Sequence, residues 1–199
     1  LGKIKSAKVT WSEFLPTMHP WVDYRQSYTA KSMLGGGVVL TFIHPIDYLL
    51  WIFGSAEDVH ATFHKRSEIN TDAEDDEADI KINFKNQLCA DIHLDYWQQP
   101  TQHQLVVHGD SGMAALDFVG HTLLIRDKVG ISDIHRAPDG FNRNDLFVAE
   151  IGHFLDCVKN MNETRIPISE GMKSLEVALR AKESVKRKAE VLIENSKKN

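Results

Sequence analysis

A strict alternation of side chains from position 87 to position 97 constrains the fold more than any other feature of the sequence. Its apolar members are Leu88, Ala90, Ile92, Leu94 and Tyr96, and the residues between them are Cys89, Asp91, His93, Asp95 and Trp97. Successive side chains of a strand point to opposite faces of a sheet, so this period of two predicts a strand with one packed face and one polar face. Such strands are typical of antiparallel sheets, because one face of an antiparallel sheet can meet water.

Further strands are predicted on both sides of this run. They cover residues 3–14, 58–65, 78–84, 103–108, 113–118 and 122–126. The connection Lys85-Asn86-Gln87 is short enough to make a hairpin with the preceding strand, and the turn Gly109-Asp110-Ser111-Gly112 predicts a second hairpin. The middle of the chain is therefore predicted to form a large sheet.

The stretch from Gly37 to Phe53 has the period of a helix. Its apolar stripe recurs at spacings of four, three, four and three, and consists of Val39, Ile43, Ile46, Leu50 and Phe53. Gly54 predicts the end of this helix. Pro45 predicts a kink or break near His44, because proline lacks a backbone donor.

Two more helices are predicted at the end of the chain. The first is capped by Asn144 and has a core stripe of Phe147, Ile151, Phe154 and Val158. The second begins near Ser169, and its stripe consists of Leu175, Ala178, Ala181, Val185, Ala189 and Leu192. This order of strands and helices is not a series of βαβ units. It predicts an α+β fold, in which a large, mostly antiparallel sheet has helices packed on one face.

Length and composition narrow the class of protein. The 199 residues are one domain in length, and the net charge of −5 argues against a general nucleic-acid binder. The sequence has no apolar run long enough to span a membrane and no apolar leader. Its two cysteines suit a reducing compartment. We therefore expect a cytoplasmic protein. Neither GxGxxG nor GxxxxGK[ST] occurs, and the glycine triplet at 35–37 follows a polar loop rather than a strand.

One candidate for proton transfer lies beside the core stripe of the first helix. Leu40, His44, Asp47 and Trp51 share a face of that helix. A histidine one turn from an aspartate is a possible general base, with the carboxylate fixing its tautomer. The alternative is a structural histidine whose ring is bonded to a carboxylate or a carbonyl.

A second candidate is the irregular segment before that helix. It offers aromatic rings and hydrogen-bonding groups, namely His19, Trp21, Asp23, Tyr24, Arg25 and Tyr28. Such a mixture suits a polyhydroxylated or anionic ligand, because aromatic faces pack on sugar rings and arginine pairs with carboxylate or phosphate. The alternative is a well-packed structural loop.

The polar face of the predicted sheet also gathers candidate metal ligands. A zinc hydrolase would draw on His60, His64 and His93, which lie on different predicted strands. We expect no metal, since a polar sheet face is the simpler explanation. Trp97 on the same face predicts a subunit interface.

Several segments together resemble the glucose–fructose oxidoreductase / inositol dehydrogenase (Gfo/Idh/MocA) family. The stretch LGGGVVLTFIHPIDYLLWIFG at 34–54 resembles its signature helix, and HQLVVHGDSGMAALDF at 103–118 is similar to its GdxG hairpin. The start LGKIKSAKVTW resembles the crossing into its C-terminal domain, and residues 144–160 with 166–184 resemble its terminal helix pair. The loop HPWVDYRQSY at 19–28 resembles one found in members associated with surface-polysaccharide sugars.

The resemblance implies a domain organisation. Family members have an N-terminal Rossmann domain that binds NAD or NADP, and a C-terminal domain, of the dihydrodipicolinate-reductase-like kind, whose sheet contacts substrate and forms the oligomer interface. Residues 1–199 resemble only the second domain, so the missing dinucleotide motif belongs to a half that is absent from this chain. We therefore expect a homo-oligomer through the sheet face and no activity from this chain alone.

The resemblance also implies roles for residues. It makes His44 the proton-transfer residue and places Gly36 and Gly37 at the cofactor. Asp47, at the neighbouring helical position, is a candidate to orient His44, and the alternative is a structural anchor between the helix and a loop. Members commonly carry an aspartate four residues before this histidine, where this chain has Leu40. The function implied is a sugar or nucleotide-sugar oxidoreductase. The alternative, suggested by Leu40, is a non-catalytic sugar-binding or assembly module on the same fold.

Overall fold

The computed structural model of the chain describes residues 1–66 and 69–193. Over these residues the backbone forms a nine-stranded sheet, flanked by helices. The strands are β1 Ile4–Ser12, β2 Ala56–His64, β3 Glu77–Phe84, β4 Cys89–Asp95, β5 Gln102–Gly109, β6 Gly112–Asp117, β7 Thr122–Asp127, β8 Ile131–Arg136 and β9 Val191–Leu192. Their order is β8-β7-β6-β5-β1-β4-β3-β2-β9, and the pairings are antiparallel except that of β1 with β4. The predicted α+β fold is confirmed.

The alternation from 87 to 97 produces the two faces that it predicts. Its five apolar members are buried. They lie in register with the apolar residues of the neighbouring strands, as in the pairs Val9↔Ile92 and Ile80↔Ile92. β8 was not predicted, because its six residues are all exposed and carry no alternation.

Five helices complete the described chain. They are α1 Leu15–Met18, α2 Val38–Thr41, α3 His44–Phe53, α4 Arg143–Asn160 and α5 Ile168–Arg187. The segment predicted as irregular holds α1 and three single 3-10 turns, at Tyr24–Gln26, Tyr28–Ala30 and Ser32–Leu34.

The helix predicted from Gly37 to Phe53 is broken into α2 and α3, and the chain bends by 49° at the break. Pro45 explains the position of the break, because its ring would clash with the carbonyl of Thr41, where α2 ends. Gly54 ends α3 as predicted, with a φ of 91°.

The hydrophobic core lies between the sheet and α2, α3 and α5. Val39 and Ile46 are fully buried as predicted, whereas Leu49 rather than Leu50 completes the buried stripe of α3. Among the described residues no single helix is long and apolar enough to cross a membrane. The bent pair before Gly54 meets those two criteria, but its residues Val38, Val39, Ile46 and Leu49 belong to this core.

The predictions for the two last helices need correction. Phe147, Ile151, Phe154 and Val158 of α4 are 49–61% exposed and are not core residues of this chain. Asn142 rather than Asn144 caps α4, since its side chain accepts a hydrogen bond from the backbone N–H of Asn144.

In α5, the buried face is rotated from the predicted one. It consists of Ser174, Val177, Ala178, Ala181 and Ser184, whereas Leu175 is exposed. The helix ends at Arg187, so Ala189 and Leu192 lie beyond it.

Candidate functional site

His44 is the first residue of α3 and is exposed. The break before Pro45 places it at a helix start. The ring of His44 lies 5.8 Å from the ring of Trp11 on β1, at an interplanar angle of 22°. His44 is therefore an accessible imidazole held beside an aromatic face.

An aromatic stack lies next to His44. The indole of Trp11 lies 4.3 Å from the ring of Phe42 and 4.1 Å from that of His103, nearly parallel to both. His103 in turn lies 4.1 Å from Phe118. The imidazole of His103 is thus sandwiched between two aromatic rings on the helix side of the sheet.

Tyr48 connects this stack to α3. It lies one turn after His44, and its hydroxyl Oη is 3.3 Å from Nε2 of His103. Neither Tyr48 nor His103 was among the residues selected from the sequence. Both were within reach of sequence reasoning, since Tyr48 is four positions after His44 and the predicted hairpin places His103 opposite Phe118.

Burial sets the charge of this pair. Burial, chiefly, together with the nearby charge of His44 lowers the pKa of His103 to about 4. Burial also raises the pKa of Tyr48 well above its ordinary value. At neutral pH the side chains of His103 and Tyr48 are therefore uncharged. Of the two neighbouring imidazoles, that of His44 is the one exposed to solvent.

Asp47 does not orient His44 within the described chain. Its Oδ1 accepts a hydrogen bond of 2.6 Å from the hydroxyl of Ser174, which ties α3 to α5. No hydrogen bond joins Asp47 to His44 over residues 1–66 and 69–193. Asp47 also lines a cavity of about 640 Å³, together with Tyr48, Trp51, Arg165 and Lys173. This volume is within the range of small-ligand sites.

The polar side chains of the segment from His19 to Tyr28 make contacts with one another rather than with His44. Arg25 donates two hydrogen bonds to the carboxylate of Asp23, of 2.8 and 2.9 Å, so its guanidinium is already paired. These bonds hold the pKa of Asp23 below its usual value. Trp21 is 78% exposed and lies 5.4 Å from the ring of His19. No hydrogen bond or ring contact joins this segment to His44 among the described residues, so its role in binding substrate stays a prediction.

Gly36 and Gly37 have a packing role in the structure. A Cβ on Gly36 would lie 2.6 Å from the carbonyl oxygen of Tyr28, and one on Gly37, whose φ is +102°, would lie 2.3 Å from Oδ1 of Asp75. Asp75 is fully buried, accepts a 3.0 Å hydrogen bond from the N–H of Val39 and pairs with Lys182 at 2.7 Å. The glycines let this carboxylate cap α2, and their predicted contact with a cofactor stays a prediction.

The polar sheet face does not assemble His60, His64 and His93 as metal ligands. Both ring nitrogens of His93 are bonded to carboxylates, to Asp79 at 2.8 Å and to Asp95 at 3.2 Å. These bonds, chiefly the one to Asp95, raise the pKa of His93 to about 9, so that it is protonated and holds no lone pair for a metal.

A smaller group on the same face approaches a metal-ligand geometry. His64, Glu77 and Asp79 have candidate ligand atoms within 4.8 Å of one another. However, Oε2 of Glu77 already accepts hydrogen bonds from Arg66 and Trp97, each of 2.7 Å. The guanidinium beside this carboxylate competes with any cation.

One comparison with known proteins identifies a family. The sequence matches the family model described as GFO/IDH/MocA C-terminal domain over residues 1–115. No curated protein matches it significantly.

Solved structures share the fold. Levoglucosan dehydrogenase in complex with NADH is 14% identical, with a TM-score of 0.82 over 98% of this chain and 59% of its own. An oxidoreductase from Agrobacterium radiobacter, in complex with NAD+, L-tartaric acid and magnesium, is 16% identical, with a TM-score of 0.74 over 96% of this chain and 57% of its own. UDP-N-acetylglucosamine 3-dehydrogenase from Acidithiobacillus ferrooxidans is 19% identical, with a TM-score of 0.72 over 94% of this chain and 55% of its own.

At these identities the structural likeness shows the fold, and the chain spans less than two thirds of the length of each of these relatives. The family model, by contrast, accounts for more than half of the chain, and it confirms the resemblance found in the sequence. The chain therefore belongs to the GFO/IDH/MocA family, whose C-terminal domain model matches its residues 1–115.

Proposed function

We propose that the chain is the substrate-binding and proton-transfer domain of an NAD(P)-dependent oxidoreductase that acts on a sugar or nucleotide sugar. The observation that carries this proposal is His44, an exposed imidazole at the break between α2 and α3, beside the aromatic stack. Structures with the same fold include levoglucosan dehydrogenase solved with NADH and levoglucosan, and a dehydrogenase named for UDP-N-acetylglucosamine.

We infer that the glycine-rich turn of this chain does not hold the pyrophosphate of the dinucleotide, so that any contact of Gly36 and Gly37 is with another part of the cofactor. The start of α2 follows the glycine triplet, but the carboxylate of Asp75 already accepts the N–H of Val39 there. A pyrophosphate at that place would have to displace the buried carboxylate of Asp75, which is held by Lys182, from the N–H of Val39. We therefore assign the dinucleotide to a domain that precedes residue 1, so that residues 1–199 act as a substrate and oligomerisation domain.

The contribution of this chain to oxidation is the proton step. Oxidising a sugar hydroxyl removes a hydride, which NAD(P) accepts when bound, and a proton. Unprotonated His44 accepts that proton and, because it is exposed, passes it to water. The cavity beyond Tyr48 offers the sugar the ring of Trp51, the guanidinium of Arg165 and the ion pair of Lys173 with Glu170.

The finer part of the proposal concerns the substrate. The resemblance of residues 19–28 to a loop of surface-polysaccharide enzymes favours a nucleotide sugar of that pathway class. Two free thiols, Cys89 and Cys157, fit an enzyme of the cytoplasm.

The test uses the protein expressed from its complete gene. NAD(P) reduction is followed with levoglucosan and with UDP-N-acetylglucosamine as probes, in the wild type, His44→Gln and His108→Gln. Loss of the proton acceptor is expected to lower kcat by roughly 10²–10⁴-fold. His108 is exposed on β5 and is the matched control, which should keep wild-type turnover. Wild-type turnover in His44→Gln would remove His44 from the mechanism.

A second candidate function, a non-catalytic sugar-binding or assembly module, is favoured by one observation. His44 has no carboxylate partner among the described residues, since Leu40 stands one turn before it and Asp47 is bonded to Ser174. Calorimetry of the complete protein with NADH and with NADPH separates the two. Binding of neither cofactor would support the module and contradict the oxidoreductase.

A further inference from the structure

Tyr48 has one hydrogen-bonding position on its hydroxyl that the described chain leaves open. The side chain is half-buried and lines the cavity of about 640 Å³ together with Trp51 and Arg165. Residues one turn apart on a helix have Cβ atoms about 5–6 Å from each other, so one small ligand can contact both His44 and Tyr48. Over the described residues the hydroxyl is bonded to His103 and to no other group.

The hydrogen bond between Tyr48 and His103 has a preferred direction. The ring of His103 is held between Trp11 and Phe118, each 4.1 Å away, and a pKa of about 4 keeps it neutral. A neutral imidazole has one nitrogen that donates and one that accepts. A phenol O–H is a far stronger acid than a neutral imidazole N–H, so the bond is stronger when Tyr48 donates and Nε2 of His103 accepts.

This direction decides what the hydroxyl of Tyr48 can offer to a ligand. A hydroxyl has one proton and two lone pairs. When the proton is used toward His103, the oxygen of Tyr48 can only accept a hydrogen bond from a ligand. Such an oxygen stabilises a hydroxyl or N–H group, whereas a carboxylate or a fluorine atom at the same place leaves it unpaired.

We propose that Tyr48 is a specificity-determining residue, whose oxygen accepts a hydrogen bond from a hydroxyl or N–H group on the carbon next to the one that is oxidised. This rests on the proposed function, because it takes a sugar as the ligand and His44 as the proton acceptor. His103 is the positioning residue, since it takes up the phenolic proton and acts on the sugar only through Tyr48. Sugars with a carboxylate or only hydrogen at that carbon are poor substrates.

Nitrogen-15 NMR of the protein expressed from its complete gene tests the direction of the bond. In a neutral histidine, the nitrogen that carries the proton and the nitrogen that does not have widely separated chemical shifts. We expect Nε2 of His103 to carry no proton at neutral pH, and the signals lost in His103→Phe identify this ring. A proton on Nε2 would overturn the proposal, because Tyr48 would then keep its own proton for the ligand.

Fluorinated sugars test the selection in the same protein. The probes are levoglucosan and its deoxyfluoro derivatives, in which fluorine replaces a hydroxyl with a group that cannot donate. For one derivative, the preference for hydroxyl over fluorine in kcat/KM should be about 10–100-fold greater in the wild type than in Tyr48→Phe. Tyr96→Phe is the matched control and should keep the wild-type preference, because Tyr96 is fully buried and its hydroxyl has no partner among the described residues.

The comparison between the two proteins separates selection from a purely structural role. If Tyr48 only supported the fold, Tyr48→Phe would slow every sugar alike and leave the preference unchanged, which would overturn the proposal. If levoglucosan is bound but not oxidised, calorimetry gives the same ratio from the affinities, and only the proposed function is contradicted. A protein that neither binds nor oxidises levoglucosan or UDP-N-acetylglucosamine would overturn both.

Discussion

The pairing of Tyr48 with His103 is the least expected feature of the site. Two neutral polar groups meet at 3.3 Å inside a stack of aromatic rings, where each would be costly to leave unbonded. The bond fixes the side chain of Tyr48, which lies one turn after His44. His103 therefore acts as a positioning residue for that wall of the site. Its own low pKa excludes it as the proton acceptor near neutral pH.

A double-mutant cycle tests this pairing. His103→Phe keeps a ring in the stack but leaves the hydroxyl of Tyr48 without its partner, so we expect it to lower the free energy of unfolding by about 1–2 kcal/mol. Adding Tyr48→Phe removes the orphaned hydroxyl, so the double variant should be more stable than His103→Phe alone. Urea unfolding of all four proteins measures this, and purely additive losses would argue against the bond.

His93 gives the fold a defined response to alkaline pH. Its bonds to Asp95 and Asp79 raise its folded pKa to about 9, above the value of about 6.5 for an unfolded histidine. The folded state therefore binds the proton more tightly. This stabilisation is complete below about pH 6.5 and is lost as the pH rises through 9.

The corresponding prediction concerns the slope of stability against pH. His93→Gln should flatten the fall in unfolding free energy between about pH 6.5 and 9, measured by urea unfolding at a series of pH values. His108→Gln removes an exposed histidine of β5 and should keep the wild-type slope. A His93→Gln protein with an unchanged alkaline slope would show that the carboxylates do not hold this proton.

At the scale of elements, the turn into α2 is the place where adding a single methyl group is expected to destabilise the fold most. Gly35 and Gly37 both have positive φ, of 81° and 102°, but only Gly37 faces the carboxylate of Asp75. Gly37→Ala adds a steric clash to the backbone strain, and we expect a loss of about 3 kcal/mol. Gly35→Ala meets nothing nearer than 3.9 Å and should cost about 1 kcal/mol. Equal midpoints for the two variants in thermal unfolding would contradict this account.

The strands could be predicted from the sequence because their burial is local and periodic. Val9, Ile80 and Ile92 alternate with polar neighbours, and the sheet needs no information beyond that pattern. The break at Pro45 was also predictable, because the lack of a backbone N–H in proline disrupts the helix at the position of the proline itself.

The helices were harder to predict because their partners are not local. α5 buries Ser174 and Ser184, and Ser184 accepts a hydrogen bond from the N–H of Ala61 while donating to the carbonyl of Ala181. Polar residues used in this way are invisible to a search for apolar stripes. Phe147 and Phe154 of α4 form a genuine apolar stripe, but nothing in the described chain buries it.

At the scale of the whole molecule, the sheet has one face covered by helices and one face that the described residues leave open. α2, α3 and α5 pack over Val9 and Ile80, whereas Lys8, Thr10 and Asp79 on the other side line a shallow hollow of about 460 Å³. At one end, Trp97 shields Glu77 and lies under the guanidinium of Arg66, at 4.8 Å. The rest of this face is polar and charged, and it is the surface that we propose for association of copies of the chain.

The charges of the open face predict how that association can be broken. Lys81 pairs with Asp91 at 3.2 Å, and both side chains are about half exposed. Asp91→Lys would leave Lys8, Lys81 and protonated His93 beside a further cation, so like-charge repulsion should dissociate the oligomer. Asp133→Lys on β8 makes the same charge change at the far edge of the sheet and should leave the assembly intact. Light scattering of the complete protein at several concentrations reports the mass. A monomeric wild type would contradict the association, and an oligomer that survives Asp91→Lys would place the interface elsewhere.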